Sequence, residues 1–209
     1  MNTQRIKKKK SIADISLNAL LIILAASVVF AVLYTIIANT MEKHIYPRKY
    51  SNFVEKYSAE FGVPENIIYA VIKTESDFER TAASSSEPPA LGLMQLTEET
   101  YEWVSGKLKE SPSAFEIYDP ETNIKYGVWY LSYLYARFDN WDTAFAAYNA
   151  GPGNVSKWLK DEEYSSDGET LFYIPFKETR NYLKKVNKQT EIYRNLYYTS
   201  IEEIKEYEQ

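Results

Sequence analysis

Glu75 is the residue of this sequence best placed to do chemistry. Ile68, Val71 and Ile72 recur at i, i+3 and i+4, the stripe of an amphipathic helix, and Glu75 falls at i+7 of that stripe. A carboxyl group there projects toward a protein interior, where loss of water disfavours its charged form and raises its pKa. An acid still protonated near neutral pH is what general-acid cleavage of a glycosidic bond requires. The plain alternative is a solvated glutamate at a frayed helix end, which periodicity alone does not exclude.

Three further stretches carry residue types unusual for a domain concerned only with stability. Gly92-Leu93-Met94-Gln95 places a glycine, which permits close backbone approach, before two apolar residues and an amide that donates and accepts. Core packing accounts for it equally well. Residues 146–155 run small residues into Tyr148 and Asn149 at a helix end, then a Gly-Pro-Gly turn. An aromatic face beside an amide suits a sugar, though a simple helix break has the same appearance. Glu178 and Tyr182 are i, i+4 partners on one helix face, as a surface acid and a core aromatic would also be.

Composition narrows the chemistry. The 209 residues include no cysteine and one histidine, His44. Disulfides, thiol nucleophiles, Cys-based zinc sites and a Ser-His-Asp triad are thereby set aside, leaving carboxylates, hydroxyls, amides and lysines. No cofactor and no metal site is called for, and His44 reads as a solvated linker residue.

Arg5 and Lys7, Lys8, Lys9 and Lys10 precede an apolar run over 17–38, whose 22 residues match the roughly 20 that span a bilayer. The run reads as a single transmembrane anchor behind a cytoplasmic basic flank at 1–16; a cleaved signal segment and a buried core helix are the alternatives. Positive charge stays inside, so the remainder is expected on the extracytoplasmic side of the cell membrane. With the five bases and Asp14 set aside, 24 Lys+Arg become 19 and 29 Asp+Glu become 28, so the external part carries −9. Such a surface makes nucleic acid a poor partner. Residues 39–49, with Pro47, read as a short tether.

From residue 50 the pattern is helical. Phe53, Tyr57 and Phe61 predict a helix ended by Gly62, and Pro64 opens the helix that carries Glu75. Residues 80–91 read as a loop, and Thr97 caps a helix to about Lys107. Asp119-Pro120 starts a long helix to Phe138, Asp142 caps a short one over 143–149, and 176–198 reads helical. No useful strand pattern appears, so the external domain is expected to be mostly α, with an acidic tail at 199–209.

In order along the chain, Glu75-Ser76-Asp77-Phe78, residues 82–84, Gly92-Leu93-Met94-Gln95, residues 147–155 and Glu178-Thr179-Arg180-Asn181-Tyr182 resemble the catalytic domain of the lytic transglycosylases of the soluble-transglycosylase type, relatives of goose-type lysozyme. The resemblance covers residues 50–198. It implies a lysozyme-like, mostly α fold and cleavage of the β-1,4 bond between N-acetylmuramic acid and N-acetylglucosamine in peptidoglycan glycan strands. By the same resemblance, Glu75 protonates the leaving oxygen, then acts as base toward the muramoyl C6 hydroxyl, closing a 1,6-anhydro ring. Ser76, Met94, Gln95, Tyr148, Asn149, Glu178 and Tyr182 match family positions that line the groove or support Glu75. Gln95 and Asn149 are expected to hydrogen-bond sugar, and Tyr148 to place the reacting ring. The chain departs from the family pattern at Arg80, where proline is common, at 84–91, which is about two residues longer, and at Leu96-Thr97-Glu98, where a Leu-Met pair followed by proline is common. These changes touch one groove wall and leave the acid intact. A hydrolytic muramidase and a catalytically silent glycan-binding subunit of an envelope complex are the alternatives, and the sequence does not identify protein partners.

Overall fold

The computed structural model describes residues 12–198. The expected acidic tail at 199–209 and most of the basic flank lie outside the described residues. The chain divides into two compact units, one ending at Pro47 and one beginning at Arg48.

Among the described residues the first unit is formed by α1 (Ile12–Ile45). Its Leu, Ile, Val and Phe side chains over 20–37 are all exposed, apolar around the whole circumference. By length and composition this helix is long and apolar enough to cross a membrane. Most of the stretch read as a tether is helical here. Residues 39–45 contain no glycine or proline, and the helix stops only as the chain approaches Pro47, which disfavours the helical region for the residue before it. His44 is accordingly an exposed residue of the last turn of α1.

The second unit is a bundle of short helices with one small hairpin. α2 (Ser51–Phe61) ends as Gly62 turns left-handed at φ 69°, and α3 (Glu65–Glu75) follows directly after Pro64. A two-stranded antiparallel ribbon, β1 (Ala90–Leu91) with β2 (Leu96–Thr97), pairs Ala90 with Thr97 and Leu91 with Leu96. Thr97 then caps α4 (Glu98–Leu108), its hydroxyl accepting from the Thr100 amide at 3.2 Å. A 3₁₀ turn over Ala114–Tyr118 leads to α5 (Pro120–Phe138), capped by Asp119 with Pro120 at its first position. α6 (Trp141–Ala150) begins two residues earlier than expected, because Asn140 rather than Asp142 accepts the Thr143 amide. Gly151-Pro152-Gly153 does not end in loop. Pro152 opens a further helix, α7 (Pro152–Trp158), since proline's fixed φ suits a first turn. α8 (Lys177–Tyr193) continues as a π turn over Arg194–Tyr198.

α3 is the axis of this unit. The six consecutive residues Ile67, Ile68, Tyr69, Ala70, Val71 and Ile72 are all buried, so it is apolar all round rather than striped. It packs most extensively on α8, where Tyr69 and Tyr193 stack with centroids 5.4 Å apart. Each of its buried Ile and Val side chains contributes roughly 1.5–3 kcal/mol by leaving water. That burial fixes the position of the helix end, and the end is Glu75.

Candidate active site

α3 stops at Glu75 because the chain turns sharply just beyond it. Asp77 and Phe78 both adopt positive φ, 51° and 66°, and Phe78 is buried beside Tyr69. Left-handed backbone costs a non-glycine residue about 1–2 kcal/mol, here offset by burial of the Phe78 ring. Ser76 fastens this turn to the 92–95 segment. Its Oγ donates to the Leu93 carbonyl at 2.7 Å and also approaches the Ile72 carbonyl at 3.2 Å.

The 92–95 segment is held from three sides. The Met94 amide donates to Asn123 Oδ1 at 2.7 Å, and Asn123 Nδ2 donates to the Ile117 and Leu91 carbonyls at 2.7 and 3.2 Å. The Tyr148 hydroxyl donates to the Met94 carbonyl at 2.7 Å. Gln95, itself at φ 50°, donates from Nε2 to the Gly92 and Ala82 carbonyls at 2.9 and 3.1 Å. Gly92, at φ 78°, has no room for a Cβ, which would lie 2.8 Å from both Asn123 Cγ and the Ile117 carbonyl. Gly127 is needed for the same reason, since a Cβ there would collide with the Met94 side chain.

Several of the expected site residues therefore spend polar groups on the protein itself. Met94 is fully buried, and Ser76 spends its hydroxyl on backbone. The donor group of Gln95 is occupied, which leaves its carbonyl oxygen as the group it can offer a ligand. Asn149 is half-buried and lines a 250 Å³ cavity with Gln95, Thr97, Thr100, Tyr130 and Tyr148. Glu178 is exposed on the first turn of α8, and among the described residues no hydrogen bond joins it to the other seven. A larger hollow of 460 Å³ lies elsewhere, lined by Lys56, Glu110, Glu121 and Lys125, and touches none of the site residues.

The electrostatics single out Glu75. The residue is half-buried, but its carboxyl group is enclosed, and desolvation pushes its pKa up to about 7. The Tyr182 hydroxyl and the Lys185 ammonium oppose that rise. Lys185 Nζ donates to the Thr74 carbonyl at 3.2 Å, which places its charge at the negative end of α3, one residue from the acid. The Tyr148 and Tyr182 hydroxyls are held protonated, first by burial and then by the charge of Glu75. Tyr182 Oη reaches no hydrogen-bond partner of normal length, so a buried donor faces the carboxyl group in reserve. Among the described residues, the charged side chain acting on Glu75 is Lys185 and not a second carboxylate.

Sequence reasoning missed Asn123, Gly127 and Lys185. Asn123 sits one residue before Ile124 at the start of α5, and nothing in its spacing separates a fully buried clasp from a surface amide. Lys185 is one of two adjacent lysines, both exposed, and only the crossing of α8 over the end of α3 distinguishes it.

Fold and site together define a class: a mostly helical, lysozyme-like domain whose central helix ends on one enclosed, proton-holding glutamate. Residues 52–171 match the Transglycosylase SLT domain, and the chain belongs to that family. It is 34% identical over 168 residues to the soluble lytic murein transglycosylase of Escherichia coli K12, covering 76% of this chain and 25% of that one. The membrane-bound lytic murein transglycosylase C of Edwardsiella ictaluri is 30% identical over 192 residues, covering 81% of this chain and 52% of the relative. The crystal structure of the 70-kDa soluble lytic transglycosylase of Escherichia coli superimposes with a TM-score of 0.64 at 30% identity, over 74% of this chain and 25% of that one. This chain thus spans between a quarter and about half the length of the curated relatives it matches.

Proposed function

We propose that the chain is a membrane-anchored peptidoglycan lytic transglycosylase that cleaves between N-acetylmuramic acid and N-acetylglucosamine. The observation that carries this reading is the enclosed Glu75 carboxyl group, with a pKa of about 7 between Tyr148 and Tyr182. Protonated, it gives its proton to the leaving glycosidic oxygen. Ionised, it takes the proton of the muramoyl C6 hydroxyl as that oxygen bonds to C1 and closes the anhydro ring. One proton leaves Glu75 and one returns, and no water is consumed. A group that must both give and accept a proton works best with a pKa near the ambient pH. Hydrolases that use two carboxylates place them about 5–9.5 Å apart across the sugar. The cation, not a second acid, beside Glu75 favours the single-acid route.

The curated relatives support the substrate class, their names being lytic murein transglycosylases. Membrane attachment is supported by α1, whose 27-residue stretch Ala19–Ile45 contains an apolar window and is long enough to cross a bilayer core of about 30 Å. The basic flank puts its N-terminus in the cytoplasm and the domain outside it, in a single pass.

The test is digestion of purified sacculi by the full-length protein in detergent, with products read by mass spectrometry. Wild type is expected to release 1,6-anhydro ends, one water lighter than hydrolysed ends. Glu75→Gln is expected to lower the rate by about 10³-fold while leaving the fold intact. Reducing ends in place of anhydro ends identify a muramidase instead. Release by neither protein, with glycan still bound, identifies a silent binding subunit.

A further inference from the structure

We propose that Trp103, Trp129 and Tyr133 form a second sugar-stacking subsite, distal to Glu75, that takes a further N-acetylated sugar of the same glycan strand. The proposal rests on the glycan-cleaving reading above and adds to it a length preference set by residues of α4 and α5.

A continuous run of rings leads outward from the acid. Tyr148, whose hydroxyl is under the field of Glu75, lies 5.4 Å from Tyr130, centroid to centroid. Tyr130 lines the cavity beside Asn149 and lies 6.0 Å from Trp103. Trp103 in turn meets Tyr133 at 4.9 Å and Trp129 at 5.5 Å. Helical spacing explains the seam. Thr97 and Thr100 line the cavity, and Trp103 follows Thr100 by three residues on the same side of α4. Trp129 and Tyr133 are an i, i+4 pair on α5, and Tyr130 precedes Tyr133 by three.

The rings are also oriented. Trp129 and Tyr133 are parallel within 6°, Tyr130 and Tyr133 within 10°, and Trp103 stands at 65° to 78° to all three. Burial does not require Trp103 to be there. The buried residues of α4 are Tyr101 and Val104, whereas Trp103 remains 37% exposed at the end of the run. A large ring fixed in direction by its neighbours yet open to solvent binds without losing side-chain freedom, which is the economical way to offer a stacking face. The C–H face of an amino sugar matches such a surface. Exposed Lys107 sets its ammonium group over the Trp103 ring, 5.5 Å from the centroid, so a sugar stacking there meets that charge directly. Its ammonium group complements the lactyl carboxylate that N-acetylmuramic acid carries in peptide-free strands. That charge match, and continuity with the cavity at Tyr130, select a glycan over an apolar protein segment as the occupant.

The experiment measures binding of peptide-free strands of two to eight alternating N-acetylglucosamine and N-acetylmuramic acid units to full-length Glu75→Gln protein in detergent. Affinity is expected to rise with length. Adding Trp103→Ala is expected to remove the gain seen for the longer strands, a loss of roughly three- to tenfold, with two-sugar binding little changed. Trp103→Phe, which keeps a ring, is expected to restore most of that gain. In the tryptophan-intact protein, the Trp103 indole N–H resonance should shift only with the longer strands. Length-dependent binding that neither Trp103→Ala nor the indole resonance registers overturns the subsite while leaving the glycan reading intact. Absence of binding at every length, together with absence of anhydro products from wild type, overturns the glycan reading itself.

Discussion

Two places in the domain combine the same three residue types and put them to opposite ends. At the surface, Glu121 accepts from Lys56 Nζ at 2.7 Å and from the Tyr57 hydroxyl at 2.9 Å, in an open hollow. Those hydrogen bonds, the lysine's first, hold its carboxyl group below the ordinary carboxylate range. In the interior, Glu75 also has a tyrosine and a lysine near it, Tyr182 and Lys185. There the lysine is engaged by the Thr74 carbonyl instead of the carboxylate, and Tyr182 stops short of a full hydrogen bond. Desolvation then outweighs both partners and the pKa climbs to about 7. Residue identity does not make an acid; the partner's distance and the loss of water do. A salt bridge completed at Glu75 would have produced a second Glu121, permanently ionised and unable to give a proton.

The contrast predicts opposite stability effects for two like substitutions, and the larger effect belongs to Glu75. Its folded pKa of about 7 lies above the ordinary 4.5. Below pH 4.5 the carboxyl group is protonated in both folded and unfolded chains and costs nothing. Between 4.5 and 7 the unfolded chain ionises first, so stability falls as pH rises, and above 7 the penalty is constant. Its full size is on the order of 3 kcal/mol, an upper bound for a group not wholly removed from solvent. Glu75→Gln removes the charge without changing shape. Urea titrations should therefore show the variant more stable than wild type at pH 8 and equal to it at pH 4. An inactive variant with no pH-dependent gain would mean that Glu75 is solvated.

The helix ends and the placement of Glu75 were legible in the sequence, and the illegible part has a physical reason. The caps at Gly62, Thr97 and Asp119 are local devices, and the helix ends fall where those residues place them. Glu75 was readable because burial of α3 follows from its own apolar run. Asn140 displaced Asp142 as a cap because both satisfy the same rule and only the path of the chain decides between them. α7 was lost because Gly-Pro-Gly signals a break as well as a start. Most of the stretch read as a tether is helical because polar residues such as Glu42 and Lys43 do not themselves stop a helix. Asn123, Gly127 and Lys185 act across 29 residues or more, on Met94 or the end of α3, and no local pattern encodes such pairings. Whether Ser76 and Met94 line the groove or support Glu75 stayed open for the same reason, since a motif names positions without saying what each side chain touches.

A smaller effect tests whether Lys185 holds Glu75 within working range. Tyr182 and Lys185 from α8 and Tyr148 from α6 are the titratable groups that face the acid. Desolvation keeps Glu75 protonated, and the ammonium of Lys185 is the opposing full charge. Lys185→Met should move the basic limb of the kcat/KM profile upward by about half a pH unit, the worth of one screened charge near a surface. Lys185→Arg should leave that limb in place. A limb unmoved in the methionine variant, with activity merely reduced, would assign Lys185 to anchoring the end of α3 alone.

The least effect is expected at the surface cluster, where it completes the comparison. Glu121 has a lowered folded pKa, so its contribution is present above the ordinary carboxylate range and is lost as pH falls through the folded value. Its side chain is 42% exposed and that of Lys56 54% exposed, so solvent screens most of the attraction. Glu121→Gln should destabilise by less than about 1 kcal/mol at pH 7, and the difference should shrink both at low pH and in high salt. The Glu75→Gln difference should instead persist in salt, because it arises from the removal of water around one carboxyl group and not from an exposed ion pair. Titrating both variants across salt concentration separates the two origins in one experiment, and parallel salt dependence would show that the site acid is an ordinary surface glutamate.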